Sequence, residues 1–226
     1  MTLLVDLHRP SPRLGPGSDE QTRRALDLSG LRGRTDLRVA DLGCGTGASS
    51  LVLAEDLDAH ITAVDLFPEF LAELERRADA LGVRAAITTV AASMDELPFE
   101  PSSLDAIWSE GAIYNIGFAT GVAAWRHYLK PGGVLAVSEI TWLTADPPAE
   151  LREHWTAEYP EVGPASAKLA ALEGHGYTPI GYFPLPVSSW LDRYYRPLQA
   201  RFPSFLEQHA MNVNIVVARF GILPSR

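Results

Sequence analysis

A short apolar run over residues 37–42 stops abruptly in three glycines at alternate positions, Gly43, Gly45 and Gly47. An amphipathic segment over residues 48–57 follows at once. The pattern predicts a strand, a tight turn bare of side chains and the start of a helix. Glycines at such a turn let the backbone approach a ligand and aim helix N-terminal amides at it. A second apolar run, residues 61–64, ends in Asp65, 18 residues after Gly47. An acid at the tip of a second strand is placed to accept hydrogen bonds from a ribose. Together these features predict a nucleoside-bearing cofactor on a doubly wound sheet.

The spacing narrows the cofactor. The glycines read G-x-G-x-G, whereas the dinucleotide fingerprint G-x-G-x-x-G is built around a pyrophosphate. Asp41 stands two residues before the first glycine. A carboxylate there is ill suited to a phosphate and well suited to an ammonium group, so a cofactor with an amino-acid tail fits better.

At Asp41-Leu42-Gly43-Cys44-Gly45-Thr46-Gly47 the chain resembles the class I S-adenosylmethionine-dependent methyltransferases, whose first motif is typically D/E-x-G-x-G-x-G. The run from Trp108 to Phe118 (W-S-E-G-A-I-Y-N-I-G-F) further resembles a subgroup of bacterial small-molecule methyltransferases. Gly15-Pro16-Gly17-Ser18 with Thr22, Leu97-Pro98-Phe99, residues 129–133 and Ser138-Glu139 match as well, so the likeness covers about residues 15–200. It implies a Rossmann-like three-layer α/β/α sandwich whose seven-stranded sheet is mostly parallel, with the last strand antiparallel.

Composition sets bounds. The chain has 226 residues, which suits one sizeable α/β domain. A net charge of -9 opposes non-specific nucleic-acid binding, which needs Lys and Arg to neutralise phosphates. One cysteine excludes an internal disulfide and a Cys-based metal site, and fits a reducing cytoplasm. No window of 18 apolar residues predicts a membrane span. The expected partner is therefore a small-molecule acceptor, with neither nucleic acid nor membrane, and a homodimer is admitted.

Along the chain, residues 1–17 read as irregular and partly mobile. Residues 18–30 read as a helix with Ser18 and Gln21 in capping-box spacing. Strands are expected at 37–42, 61–65, 84–91, 104–109 and 134–140, and helices at 48–57, 68–81 and 121–129. Beyond these come helices at 148–159 and 164–174, strand six at 177–186, an aromatic-rich helix at 187–206 and a last strand at 213–220. We read residues 1–226 as a single domain: a lid segment and helix over 1–31, a cofactor-binding core over 37–140, and a substrate cover with the last strands over 141–226.

The resemblance distributes roles. Gly43, Gly45 and Gly47 lie under the methionine part of S-adenosylmethionine, with Asp41 near its amino group. Asp65 takes the ribose hydroxyls, while Leu66 and Phe67 pack beside the adenine. The loop with Ser93 and Met94 caps the adenine; the family's acid at this place is Ser93 here, or has moved to Asp95. Thr22 belongs to a lid over the cofactor, and Ser109 ends the fourth strand beside it. Glu110 is the candidate base or substrate anchor, against a carboxylate that only binds cofactor or a helix N-terminus. Tyr114 and Asn115 anchor substrate, or pack and turn the chain. Glu139 and Trp142 are candidates for the substrate side, and His8, which precedes the lid, for a group that swings over the substrate. No metal is expected. An NAD-type oxidoreductase, a methyltransferase acting on a macromolecule and a non-catalytic cofactor-binding protein remain as alternatives.

Overall fold

The computed structural model describes residues 2–209. In chain order its elements are α1 (Thr2–His8), α2 (Asp19–Ser29), β1 (Leu37–Leu42), α3 (Ala48–Asp56), β2 (Ala59–Asp65), α4 (Pro68–Leu81), β3 (Ile87–Ala91), β4 (Leu104–Glu110), α5 (Phe118–Trp125) and β5 (Leu129–Ser138). Then follow β6 (Thr141–Trp142), α6 (Ala149–Glu158), β7 (Gly163–Pro164), α7 (Ala165–Gly174), α8 (Val187–Trp190) and α9 (Arg196–Gln208), with a π-helical stretch joining the last two.

Local chemistry explains the boundaries. Ser18 caps α2 by accepting a hydrogen bond from the Gln21 amide, and Gly30 ends it in the left-handed conformation. Pro68 opens α4, where its missing N–H is no loss, and Gly82 closes it.

The main sheet has the order β3-β2-β1-β4-β5, and all of its strand pairs are parallel. Alternate residues of β1 serve opposite cores. Val39 joins Leu26, Leu53, Ile61 and Leu74 on one face, while Ala40 and Leu42 join Ile107, Phe118, Val122 and Trp125 on the other. The chain runs from β1 outward to β3, then returns to place β4 on the other side of β1. The carboxyl ends of β1 and β4 therefore flank a switch point, where such sheets bind ligands.

Three expectations are corrected. Residues 1–17 are not irregular throughout: α1 forms because Leu3 and Leu7 pack on Leu198 and Phe205 of α9. The expected strand six is absent, since residues 177–186 run outside any strand. Pro179, Pro184 and Pro186 there remove the amides a ladder needs. Among the described residues the main sheet has five strands, against seven expected over the whole chain, and β6 and β7 pair in a separate two-stranded sheet. The last expected strand, 213–220, lies outside the described residues.

Three strand starts also shift, β2 beginning at Ala59. Residues 84–86 form a 3-10 turn before β3. β5 begins at Leu129, ahead of Pro131-Gly132-Gly133, and its pairing with β4 changes register between Leu104 and Ala106.

Candidate active site

Three segments meet at the switch point: the turn after β1, the tip of β2 and the loop after β4. The turn is held to β2 by Gly43 and Cys44, whose amides donate to the Val64 carbonyl at 2.8 and 3.0 Å. Gly43, Gly45 and Gly47 all have positive φ, at 70°, 55° and 81°. Space is equally restrictive. A Cβ on Gly43 would strike Ala112 and come within 3.1 Å of Met94 Sδ, and one on Gly45 would lie 2.7 Å from Leu14 Cδ1.

Asp41 lies fully buried under this turn. Its Oδ2 accepts from Ser49 Oγ at 2.8 Å and Ser50 Oγ at 2.6 Å, both in the first turn of α3. Its Oδ1 is buried without a hydrogen-bond partner. Burial raises its pKa from 3.8 to about 6, against the lowering effect of the two serines.

This shift fixes a pH dependence. Native Asp41 holds its proton more tightly than the unfolded chain does, so its contribution to stability falls as pH rises from about 4 to about 6. Above that the cost is constant, on the order of 2–3 kcal/mol. Asp41→Asn is expected to abolish this component. Urea unfolding of both proteins at pH 5 and pH 7 checks it: the variant should gain relative to the parent at the higher pH, and an unchanged difference refutes the assignment.

Asp65 closes the β2 side. Its Oδ2 accepts from the Gly45 amide at 2.8 Å and its Oδ1 from the Phe67 amide at 3.0 Å. One carboxylate thus ties the glycine turn to the start of α4. Burial pushes its pKa up, opposed by these amides. Leu66 beside it is 58% exposed, a large apolar side chain facing solvent at the cleft. Phe67 meets Phe70 edge-on at 5.3 Å.

Glu110 ends β4 and is held by three donors. Trp108 Nε1 donates to its Oε1 at 2.8 Å; Thr22 Oγ1 and Arg13 Nη1 donate to its Oε2 at 3.1 and 2.6 Å. Arg13 also reaches Thr22 at 3.1 Å and Asp19 at 3.3 Å. Further straps bind residues 11–14 to the glycine turn. Thr46 Oγ1 donates to the Ser11 carbonyl at 3.1 Å, and Arg77 bridges the Pro12 and Thr46 carbonyls at 2.9 and 2.6 Å. The segment before α2 therefore lies across the cleft, latched at both sides.

The other candidates fall as follows. Ser109 Oγ donates to the Leu42 carbonyl at 2.8 Å, joining the ends of β4 and β1. Met94 abuts Gly43, and its carbonyl accepts from Trp125 Nε1 at 2.9 Å. The Ser93 carbonyl accepts from the Glu96 amide in the same loop. Asn115 Nδ2 donates to the Ala112 carbonyl within its own turn, while Tyr114 is half exposed and meets Tyr159 edge-on. His8 is buried in α1, with Nδ1 at 3.1 Å from the Leu4 carbonyl, and burial lowers its pKa. Glu139 pairs with Lys168 at 2.8 Å, and Trp142 lies in the small β6–β7 sheet. Among the described residues no three His, Cys, Asp or Glu gather to hold a metal.

Sequence reasoning missed Arg13, Leu14, Ser49, Ser50, Arg77 and Lys168. Ser49-Ser50 could have been found as hydroxyls in the turn following a buried acid. Arg77 could not, because its partners are carbonyls supplied by a distant segment.

Known proteins resemble this chain over the same region. Residues 39–133, from β1 into β5, match the methyltransferase domain family. The chain is 29% identical over 192 residues to a demethylmenaquinone methyltransferase of Clavibacter sepedonicus, covering 83% of this chain and 74% of that one. It is 32% identical over 133 residues to a ubiquinone biosynthesis O-methyltransferase of Xylella fastidiosa, covering 58% and 51%. It thus spans about half the length of the latter relative. An S-adenosylmethionine-dependent methyltransferase from Thiobacillus denitrificans, solved with S-adenosylhomocysteine, superposes with a TM-score of 0.82 at 22% identity, covering 99% of this chain and 89% of that one. The chain has a Rossmann-like α/β fold, and its residues 39–133 resemble the methyltransferase domain family. No helix among the described residues is long and apolar enough to cross a membrane.

Proposed function

We propose that this protein transfers a methyl group from S-adenosylmethionine to a small-molecule acceptor. The observation that carries the reading is the buried, unpartnered Oδ1 of Asp41 beneath a glycine-rich turn, one strand away from Asp65. That pair suits a ligand with an ammonium group at one end and a ribose at the other. The named activities of the two curated relatives, both on quinone-type small molecules, support the acceptor class.

The cofactor supplies a methyl already activated on a sulfonium, transferred by in-line displacement. The protein's work is to position. Holding the reactants in line contributes roughly 7–11 kcal/mol. Asp41 faces the cofactor's amino group, Asp65 its ribose, and Leu66 and Phe67 its base, with Ser93 and Met94 at the opposite lip. Glu110, already paired with Arg13, latches the lid through Arg13 and Thr22. Tyr114 offers its exposed ring to the acceptor.

The latch has a measurable consequence. Arg13→Ala removes three contacts, to Glu110, Thr22 and Asp19, and should raise amide exchange over residues 9–17 by about tenfold or more, while β1 and β4 stay protected. Hydrogen-exchange mass spectrometry reads this, and unchanged protection would show that Glu110 does not hold the lid.

The reading is tested by incubating pure protein with S-adenosylmethionine and a panel of hydroxyl, amine, thiol and carboxylate acceptors, following S-adenosylhomocysteine by mass. Acceptor-dependent release supports it. Tight cofactor binding with no release from any class would instead make the chain a binding protein.

A further inference from the structure

A second buried polar group lies at the same edge of the sheet. Glu139 directly follows β5, and Glu110 at the end of β4 pairs in register with Ser138. Two carboxylates thus stand at the carboxyl edge of adjacent strands. The Glu139 side chain is 6% exposed. Its Oε1 accepts from Lys168 Nζ at 2.8 Å, and its Oε2 is buried with no hydrogen-bond partner.

Lys168, on α7, is itself buried. Its ammonium lies 3.4 Å from the Tyr159 hydroxyl, 4.6 Å from the centre of the Phe118 ring and 5.0 Å from that of Tyr159. Tyr159 in turn meets the half-exposed ring of Tyr114, four residues after Glu110, with centroids 6.2 Å apart. Tyr159 follows α6, none of whose residues is buried, so this part of the cover is lightly held.

A buried ion pair is weak evidence for stability, because desolvation offsets its attraction. A carboxylate oxygen left buried without a donor is a further cost. The Tyr159 hydroxyl interacts with this carboxylate but makes no hydrogen bond to Oε2, so a further partner of that oxygen must donate. A cationic ligand is disfavoured, since Lys168 already neutralises Glu139 and occupies the two ring faces. An anionic group such as a carboxylate accepts hydrogen bonds and has none to donate to Glu139 Oε2. What remains is a neutral donor, and the half-exposed ring of Tyr114, edge-on to Tyr159, favours a flat aromatic body beside it.

We propose that Glu139, Lys168 and Tyr159 form the acceptor subsite, and that it takes a neutral hydroxyl carried on an aromatic ring. Glu139 Oε2 accepts the hydroxyl's hydrogen bond, and Lys168 holds the carboxylate in place. This rests on the methyltransferase reading and specifies its substrate class.

The test is calorimetric titration of the protein saturated with S-adenosylhomocysteine, using catechol, benzylamine and benzoate in turn. Catechol should bind at least tenfold more tightly than the other two. Glu139→Gln should weaken catechol by about tenfold, with affinity for S-adenosylhomocysteine unchanged within threefold. Because a lone charge would be left buried in that variant, the double substitution Glu139→Gln with Lys168→Met serves as a second probe, its folding checked by thermal melt. Equal or tighter binding of benzylamine or benzoate, no binding of any of the three, or catechol affinity unchanged in both variants would overturn the subsite alone. Absence of any heat with S-adenosylhomocysteine in the parent protein would overturn the methyltransferase reading, and the subsite with it.

Discussion

Replacing Asp65 with alanine should lower affinity for S-adenosylhomocysteine by about 10²- to 10³-fold while the chain still folds. Each hydrogen bond to a charged acceptor contributes roughly 1.5–3 kcal/mol, and the proposed ribose contact uses two of them. The same carboxylate fixes the Gly45 and Phe67 amides at 2.8 and 3.0 Å, so the turn under the ligand also loosens when it is removed. Asp65→Asn keeps one oxygen acceptor and should fall between parent and alanine. Calorimetric titration gives the affinities and a thermal melt gives the fold. Parent-like affinity in the alanine variant would remove Asp65 from the cofactor site.

Gly47→Ala should be the most damaging single change to stability in the glycine turn. Gly47 has φ 81°, and left-handed backbone costs a non-glycine residue roughly 1–2 kcal/mol. Its Cβ would also strike Leu74, with Cγ only 2.8 Å away, and Leu74 is fully buried. Overpacking of this kind adds roughly 1–3 kcal/mol. Together these come to about 2–5 kcal/mol, or a fall in Tm on the order of 10 °C for a chain of this size. Gly82→Ala is the control. Its φ of 72° is similar, but a Cβ there would meet nothing within 4 Å, so only the backbone cost remains. Equal losses in the two variants would show that contact with Leu74 carries no weight.

What was legible in the sequence was whatever is decided within a few residues. The strand Leu37–Leu42 and the helix Pro68–Leu81 have the bounds that apolar runs, Pro68 and Gly82 dictate. The Ser18 cap was equally local. The glycine turn, with a buried acid before it and Asp65 beyond, lies where its spacing placed it, because register between β1 and β2 brings Leu42 beside Val64. What was not legible depends on partners far along the chain. α1 owes its order to α9, about 190 residues later, with Arg201 donating to the Leu7 and Asp6 carbonyls. The 177–186 stretch carried strand-like residues, Ile180, Tyr182 and Phe183, yet three prolines outweighed them. Glu139 stands out in the sequence by its place at the end of an expected strand, but its partner Lys168 sits in a helix whose sequence looks ordinary. A lysine's burial is set by tertiary packing, which periodicity does not encode.

The decisive measurement is a pair of titrations on one preparation of folded protein, with S-adenosylhomocysteine in one cell and NAD in the other. The glycine-rich turn above an unpartnered Asp41 oxygen predicts one-to-one binding of the first and no heat from the second. Binding of NAD, or silence with S-adenosylhomocysteine, would contradict it.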